Sequence, residues 1–411
     1  MAEPEDDARH VFDPTTLRAY NFVIAEEDLA TIDMDPTAEQ YVDGTVEVDG
    51  ETYGPVGIRY KGSVGAFRPP CTATGRTGEP TPKTGKCSMK VDFDRVDSEL
   101  RFHGLKKLNF HSMDRDSSML RDRLGYAMFR EIGIAAPRAT HARLSINGRF
   151  EGLYVVVEQI DGRFTRSRFD EDGEGNLYKE VWPTAEMPEP YLAALETNED
   201  DNPNVDKMVR FAAAAAQGED ASFQWLDEPS LYDYIAVDRV ITNDDGAFHW
   251  YCGFNHNYYW YEAQHSDQMI LVPWDLDSSF QNPSGTGVHI ATPWNEAAEC
   301  TCRETGQMPA SCDPLIHAWA SRNEVYERAV DAFLSGPFSA ANVDAKLASW
   351  AAQIDAVVRE ASELNGAPTY ANWQESVVQL QEIVASSREH RGYDYSQPWN
   401  PLASTTRMES H

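Results

Sequence analysis

The sequence of 411 residues has no apolar run approaching the roughly 20 residues that cross a bilayer; its blandest stretch, Phe211 to Ala216, is short and alanine-rich. A soluble chain without a membrane span is the expectation. Basic residues are also scarce, since 35 Lys and Arg face 67 Asp and Glu for a net charge of -32. Such a field repels nucleic-acid backbones and anionic lipid surfaces, so neither is an expected partner. The N-terminus, Met1-Ala-Glu-Pro-Glu-Asp-Asp, lacks the basic and apolar regions of a secretory leader. That leaves an intracellular protein or one whose leader is absent from this chain. No internal repeat of about 20 to 50 residues is present.

Cysteine is sparse too, and its placement is informative. Cys71 and Cys87, Cys252, and the group Cys300, Cys302 and Cys312 all sit in Gly, Pro and Thr-rich segments that read as loops. Loop cysteines point to disulfides, with Cys71 and Cys87 able to staple one insertion and the other four able to pair within 252 to 312. A zinc site at Cys300, Cys302 and Cys312 is the rival. Disulfides favour an extracytoplasmic compartment.

What is present is ample material for a core: 41% apolar residues, 10 Trp and 18 Tyr. At about 150 residues per domain the length predicts two or three domains, or one enzyme with two lobes. The first half reads as β-rich. Residues 44 to 50 and 56 to 60 alternate around glycine turns as a small meander, 87 to 93 and 105 to 110 resume strand patterns, and 64 to 87 is an insertion by composition. A helix is expected from 117 to 132, where Leu120, Leu124, Ala127 and Met128 share a face. Asn147-Gly148 then joins two strands as a hairpin.

From Pro229 the pattern turns helical, over 230 to 241, 314 to 322, 324 to 334, 340 to 362 and 370 to 388, with strands at 257 to 261 and 269 to 272. The organisation expected is an N-terminal segment (1 to 43), a β-rich N-lobe (44 to 185), an acidic connector (186 to 228), a helical C-lobe (229 to 391) with an insertion at 281 to 313, and an irregular tail (392 to 411). An α+β enzyme with polar motifs near the junction is the expectation.

Several constellations carry chemistry. Asn243-Asp244-Asp245-Gly246 ends a predicted helix, where a short acidic turn suits a general base or a cation, or simply a helix stop. Asp275 and Asp277, two apart after an apolar strand, face the same way if the chain is extended and then offer oxygens to Mg²⁺ or Mn²⁺. The alternative is a turn cap at Asp275 beside a solvated Asp277. Gly62 and Ser63, after a strand, offer main-chain N–H groups to phosphate or form an ordinary turn. Lys86 and Lys90 flank or sit on the next strand, where one reaches a phosphate or both are edge charges. Glu158 closes an apolar strand, so it meets solvent or a partner such as a lysine or a ligand donor.

Together these segments resemble the CotH family, the spore-coat-protein-H-like secreted kinases. The resemblance is carried, in order, by Val56-Gly-Ile-Arg-Tyr-Lys-Gly-Ser63, Cys87-Ser-Met-Lys-Val91, Lys107-Leu-Asn-Phe110 with Asp116-Ser-Ser-Met-Leu-Arg121, and Ile146-Asn-Gly-Arg-Phe-Glu-Gly-Leu-Tyr154 with Glu158-Gln-Ile-Asp161. Gly175-Asn-Leu-Tyr-Lys179, Asn243-Asp-Asp245, His256-Asn-Tyr-Tyr259 and Pro273-Trp-Asp-Leu-Asp277 complete it. It implies a two-lobed atypical protein-kinase fold with ATP and Mg²⁺ or Mn²⁺ as cofactors. It implies Asp275 and Asn257 as metal ligands, with Asp277 a further one, and Asp245, or Asp244, as the aspartate orienting the accepting hydroxyl. It also implies Lys90, or Lys86, as the phosphate lysine, with Gly62, Ser63, Glu158 and Lys179 at the nucleotide. Departures accompany it: His-Arg-Asp, Asp-Phe-Gly and Gly-x-Gly-x-x-Gly are absent, and Asp245 lies twelve positions from Asn257.

The function implied is phosphoryl transfer from ATP to Ser or Thr of extracytoplasmic proteins, the protein itself included. Two other readings use the same residues differently: a non-catalytic surface scaffold on a kinase-like fold, and a phosphotransferase with a non-protein acceptor.

Overall fold

Asp49-Gly50 and Asn147-Gly148 both carry positive φ at each position, the backbone of a type I′ turn, and each joins two antiparallel strands of one sheet. These hairpins belong to a computed structural model that describes residues 7–62, 66–199, 202–243, 245–248, 254–280, 300–302, 308, 310–364, 367–389 and 391. The chain divides into two compact units. One comprises Met1–Arg123, Pro137–Gln159 and Lys346–Gln379; the other comprises Leu124–Ala136, Ile160–Ala345 and Leu380–His411.

The described residues of the first unit form seven strands: β1 (Arg18–Ile24), β2 (Val42–Val48), β3 (Glu51–Tyr60), β4 (Met89–Asp92), β5 (Lys107–His111), β6 (Ala139–Ile146) and β7 (Arg149–Glu158). They close into a barrel in the order β1-β2-β3-β4-β5-β7-β6, with β1 parallel to β6 and Tyr20 opposite Leu144. The expected meander is thus part of a closed barrel. Its closing strand lies in the segment 1 to 43, where Tyr20, Phe22 and Ile24 alternate into the core. Ile58, Met89, Val91, Leu108, Phe110, Tyr154 and Val156 fill the same interior, and Phe110 sets its edge 5.1 Å from both Tyr20 and Phe22. Closure leaves this sheet no open edge. Cys71 and Cys87 form the expected disulfide and are both buried against the core.

Helix α1 is Glu26–Met34 and α2 is Arg121–Glu131. Helix α2 starts later than the apolar stripe predicts, because the Asp116 carboxylate accepts from the N–H groups of Ser118 (3.0 Å) and Arg121 (2.8 Å) and closes a capped turn first.

The second unit carries a three-stranded antiparallel sheet, β8 (Asn176–Lys179), β9 (Tyr258–Glu262) and β10 (Met269–Pro273), with β9 central. Its chain also forms α3 (Gly162–Arg168), α4 (Glu189–Ala193), α5 (Asp206–Gln217), α6 (Glu219–Phe223) and α7 (Glu228–Val240). The stretch expected as a connector is therefore folded into helices. Met208, Phe211 and Ala212 of α5 are buried, and Phe211 meets Trp260 of β9 at 5.3 Å. Later helices occupy Pro314–Ala320, Asn323–Ser335, Ala340–Ala361 and Tyr370–Glu389, close to the spans expected from periodicity. Cys300 pairs with Cys312, and Cys302 is also disulfide-bonded. Among the described residues no helix is long and apolar enough to cross a membrane. The tail 392 to 411 and most of the insertion 281 to 313 lie outside the described residues.

Candidate functional site

Strands β9 and β10 pair so that Tyr258 faces Pro273, and beyond them the Trp274 N–H donates to the Asn257 carbonyl at 3.1 Å. Asn257 and Asp275 therefore stand at the same end of one antiparallel pair. Both residues have left-handed backbones, with φ of 59° and 49°, a conformation that Asn and Asp adopt more readily than other non-glycine residues. The surroundings hold each in place. The Asn257 N–H donates to Glu180 Oε1 at 3.0 Å, and its Nδ2 donates to the Asp245 carbonyl at 2.9 Å. The Asp275 N–H donates to the Tyr126 hydroxyl at 2.9 Å.

One expectation fails here. The chain is not extended from Asp275 to Asp277 but folds into a 3₁₀ turn at Leu276–Ser278, so the two-residue spacing does not align their carboxylates as it does in a strand. The Asp275 side chain makes no capping bond to that turn either. Asp277 Oδ1 accepts from the Ser278 hydroxyl at 3.1 Å.

The turn after α7 supplies the third element. Asn243 Nδ2 donates to Asp238 Oδ1 at 2.8 Å, its N–H donates to the Asp238 carbonyl at 3.0 Å, and the Phe280 N–H returns to the Ile241 carbonyl at 2.7 Å. Gly246 has to be a glycine for lack of space: a Cβ there would lie 2.2 Å from Asn243 Nδ2 and 2.9 Å from Asp238 Oδ1. Burial pushes the Asp238 carboxyl up to about 7, against the opposing pull of the Asn243 amide and the Arg239 charge. Asp245 is half-buried, and Asp244 lies outside the described residues. The structure thus brings Asp245, Asn257 and Asp275 into one assembly.

Carboxylates crowd this assembly. The buried Tyr259 hydroxyl is held well above its ordinary range, first by burial and then by Glu196, Glu180, Asp161 and Asp275. Lys179 ends β8 opposite Tyr259, half-buried, with its N–H donated to the Ala194 carbonyl.

The remaining expected residues belong to the first unit. Lys90 sits on β4 between Arg59 and Asn109 on the neighbouring strands, and alternates with the core residues Met89 and Val91. Lys86 precedes that strand, where Nζ donates to the Ser112 carbonyl at 2.6 Å and to the Leu153 carbonyl, and lies 4.6 Å from the centre of the Tyr154 ring. Burial pushes its amine down to about 7, with Asp114 and Asp116 pulling the other way. The Gly62 N–H donates to Glu39 Oε1 at 3.1 Å. Ser63 lies outside the described residues. Glu158 is buried, with Oε1 accepting from Arg138 Nη2 at 2.6 Å and Oε2 from Nε at 3.0 Å, so an arginine is the partner its burial requires.

Sequence reasoning missed Glu180, Tyr126 and Asp238. Asp238 had a signal, being a carboxylate within the apolar run Ile235 to Ile241 of a helix. Glu180 adjoins Lys179 in a segment already singled out, whereas Tyr126 carried no local sign.

Against known proteins, the family model described as CotH kinase protein matches residues 58–390. The inner spore coat protein H of Bacillus subtilis (strain 168) is 25% identical over 194 residues, 44% of this chain and 51% of that protein. An inner spore coat protein H-like protein of the same organism is 38% identical over 55 residues, 13% of this chain and 18% of that protein. The chain therefore matches about half, or less, of the length of these curated relatives. Among solved structures, the Helicobacter pylori proinflammatory kinase CtkA aligns with a TM-score of 0.23 at 8% identity, over 71% of this chain and 88% of that one. The HipA, HipB and operator DNA complex of Shewanella oneidensis MR-1 aligns at 0.28 and 13% identity, over 92% and 72%. Scores this low do not align individual sites.

Proposed function

The chain belongs to the CotH kinase family, and from that premise we propose that it transfers the γ-phosphoryl group of ATP to Ser or Thr hydroxyls of extracytoplasmic proteins, its own included. The observation that carries the reading is the tie from Asn257 Nδ2 to the Asp245 carbonyl, with Asp275 at the same end of the β9 and β10 pair. It ties the backbone of Asp245, the residue read as orienting the hydroxyl, to Asn257, one of the two residues read as metal ligands.

The residues fit a hard divalent cation. Asn257 commits its amide nitrogen and so presents Oδ1, Asp275 makes no capping bond, and the surrounding carboxylates favour added positive charge. Asn257 and Asp275 would hold Mg²⁺ or Mn²⁺, with Asp277 a further ligand. Such an ion neutralises charge on the nucleotide phosphates. Asp245 orients the acceptor hydroxyl and takes its proton as the acceptor oxygen bonds to the γ-phosphorus, while the bond to the β,γ-bridging oxygen breaks and ADP leaves. Lys90 supplies a cation to the phosphates, and Lys179 and Glu158 belong to the nucleotide's surroundings. The disulfides, Cys71–Cys87 and Cys300–Cys312 among them, support an oxidising, extracytoplasmic setting.

Calorimetric titration of ATP with Mn²⁺ or Mg²⁺ into the wild type and Asp275→Ala tests the reading. Metal-dependent binding lost in a folded Asp275→Ala supports it. A folded wild type that binds no nucleotide sinks it and leaves the scaffold reading.

A further inference from the structure

The chain on either side of Lys86 is firmly held. Its neighbour Cys87 is bonded to Cys71, and the N–H groups of Thr84 and Gly85 both donate to the Cys71 carbonyl, at 2.7 and 3.3 Å. Across from it, the pairing of β6 with β7 slips by one residue, with Leu144 facing Gly152 and Ser145 facing Phe150, so Glu151 is the extra residue of a bulge. Gly152 has a φ of 132°, and a Cβ there would lie 3.5 Å from Lys86 Cε and 3.7 Å from Leu364 Cδ1. The lysine stem thus crosses the strand where β7 carries no side chain. These elements enclose a cavity of about 320 Å³, room for a small organic molecule. Every residue that lines it belongs to the first unit, and Lys90, Lys179, Asp245, Asn257 and Asp275 are not among them.

We propose that Lys86 is a nucleophilic amine in the wall of this cavity, where it condenses with small aldehydes that carry a carboxylate or phosphate. The two lysines of the lining differ in their partners. Lys83 Nζ pairs with Glu151 at 2.9 Å. Lys86 forms no ion pair among the described residues and gives its Nζ to two main-chain carbonyls, those of Ser112 at 2.6 Å and Leu153. Two acceptors take both N–H bonds of a neutral amine and leave its lone pair, which an ammonium lacks. Burial favours the same neutral form and outweighs Asp114, Asp116 and the Tyr154 ring 4.6 Å away, so the amine falls to about 7. A desolvated lysine of this kind attacks carbonyl carbon at neutral pH. Its lone pair bonds to the aldehyde carbon, the carbonyl oxygen departs with the two amine protons as water, and an imine remains.

Arg149, the exposed first residue of β7, selects the anionic aldehyde. Its side chain makes no hydrogen bond or ion pair among the described residues. The carboxylates that share the lining are engaged: Glu151 with Lys83, Asp116 with the N–H groups of Ser118 and Arg121, and Asp33 with the Tyr60 hydroxyl at 2.6 Å. A guanidinium pairs with a carboxylate or phosphate through two parallel N–H bonds. Met119, Phe150 and Leu364 supply apolar wall for the body of the molecule.

The test treats the folded wild type with limiting glyoxylate or propanal at neutral pH, reduces the imines with cyanoborohydride and locates the alkylated lysines by peptide mass spectrometry. Lys86 should react at least about tenfold faster than any other lysine, and unfolding in urea should abolish the preference. Arg149→Met should slow labelling by glyoxylate about tenfold, the effect of one charge-assisted bond, and leave propanal unchanged. Lys86 labelled no faster than the other lysines overturns the proposal. Equal loss with both aldehydes in a folded Arg149→Met, or loss with neither, removes the anion from it. Protection of Lys86 by Mn²⁺-ATP would place that amine at the nucleotide and overturn the proposal, whereas a wild type that binds no ATP yet labels at Lys86 sinks the phosphotransferase reading alone.

Discussion

Asn257 donates its side-chain amide to the main-chain carbonyl of Asp245, 2.9 Å away and twelve residues earlier, while its own backbone sits at a φ of 59°. Two separable costs follow from replacing it. Asn257→Gly loses only the amide bond, worth about 1 kcal/mol, and accepts the left-handed backbone freely. Asn257→Ala loses the same bond and adds about 1 kcal/mol of backbone strain. Urea denaturation should therefore rank wild type above Gly and Gly above Ala. An Ala variant as stable as Gly would mean that the left-handed geometry is not what the site demands.

The Asp238 carboxyl offers a pH test. Burial raises it from 3.8 to about 7 in the folded protein. Between those values the folded state binds more protons than the unfolded state, so the contribution is fully present below about pH 4 and is lost as pH rises towards 7. The slope from this one group is at most about 1.4 kcal/mol per pH unit. Asp238→Asn keeps an acceptor for Asn243 and removes the titration. Unfolding free energies measured from pH 4 to 8 should fall less steeply for Asp238→Asn than for wild type. Parallel curves would show that Asp238 titrates at its ordinary value.

What the sequence discloses and what it hides separate along physical lines. The helix at Ala340–Ala361 follows from the periodicity of its buried face, whereas the strands at Tyr258–Glu262 and Met269–Pro273 are short aromatic and apolar runs buried along almost their whole length. Asp275 could be singled out because it follows an apolar strand, whereas Asn257 could be singled out through the resemblance to the family. The bonds that fix them could not: Glu180 lies 77 positions from Asn257, and Tyr126 lies 149 from Asp275. No local pattern records such pairings. The barrel's closing strand, Arg18–Ile24, falls within the N-terminal segment 1 to 43, for which no strand is expected although its burial alternates, and its parallel pairing with β6 depends on two segments more than a hundred residues apart. The geometry at Asp277 was misjudged for a different reason, because two-residue alternation holds only where the chain stays extended, and here it turns.

Glu158 shows how a buried charge tests its own partner. Its carboxylate is 1% exposed, and Arg138 meets it through two side-chain nitrogens and also through its main-chain N–H, which donates to Oε2 at 3.1 Å. Removing the guanidinium leaves a carboxylate with neither water nor its counter-charge, so Arg138→Met should cost about 3 to 5 kcal/mol in urea denaturation at neutral pH. The double variant Arg138→Met with Glu158→Met removes the stranded charge as well and should recover much of that loss, since desolvating the pair offsets most of its attraction. The same comparison bears on function. If Glu158 serves only to anchor β7 through Arg138, the double variant should bind Mn²⁺-ATP as wild type does once its stability is restored. Recovery of stability with nucleotide affinity still lost would instead assign Glu158 to the nucleotide's surroundings, where the resemblance to the family puts it.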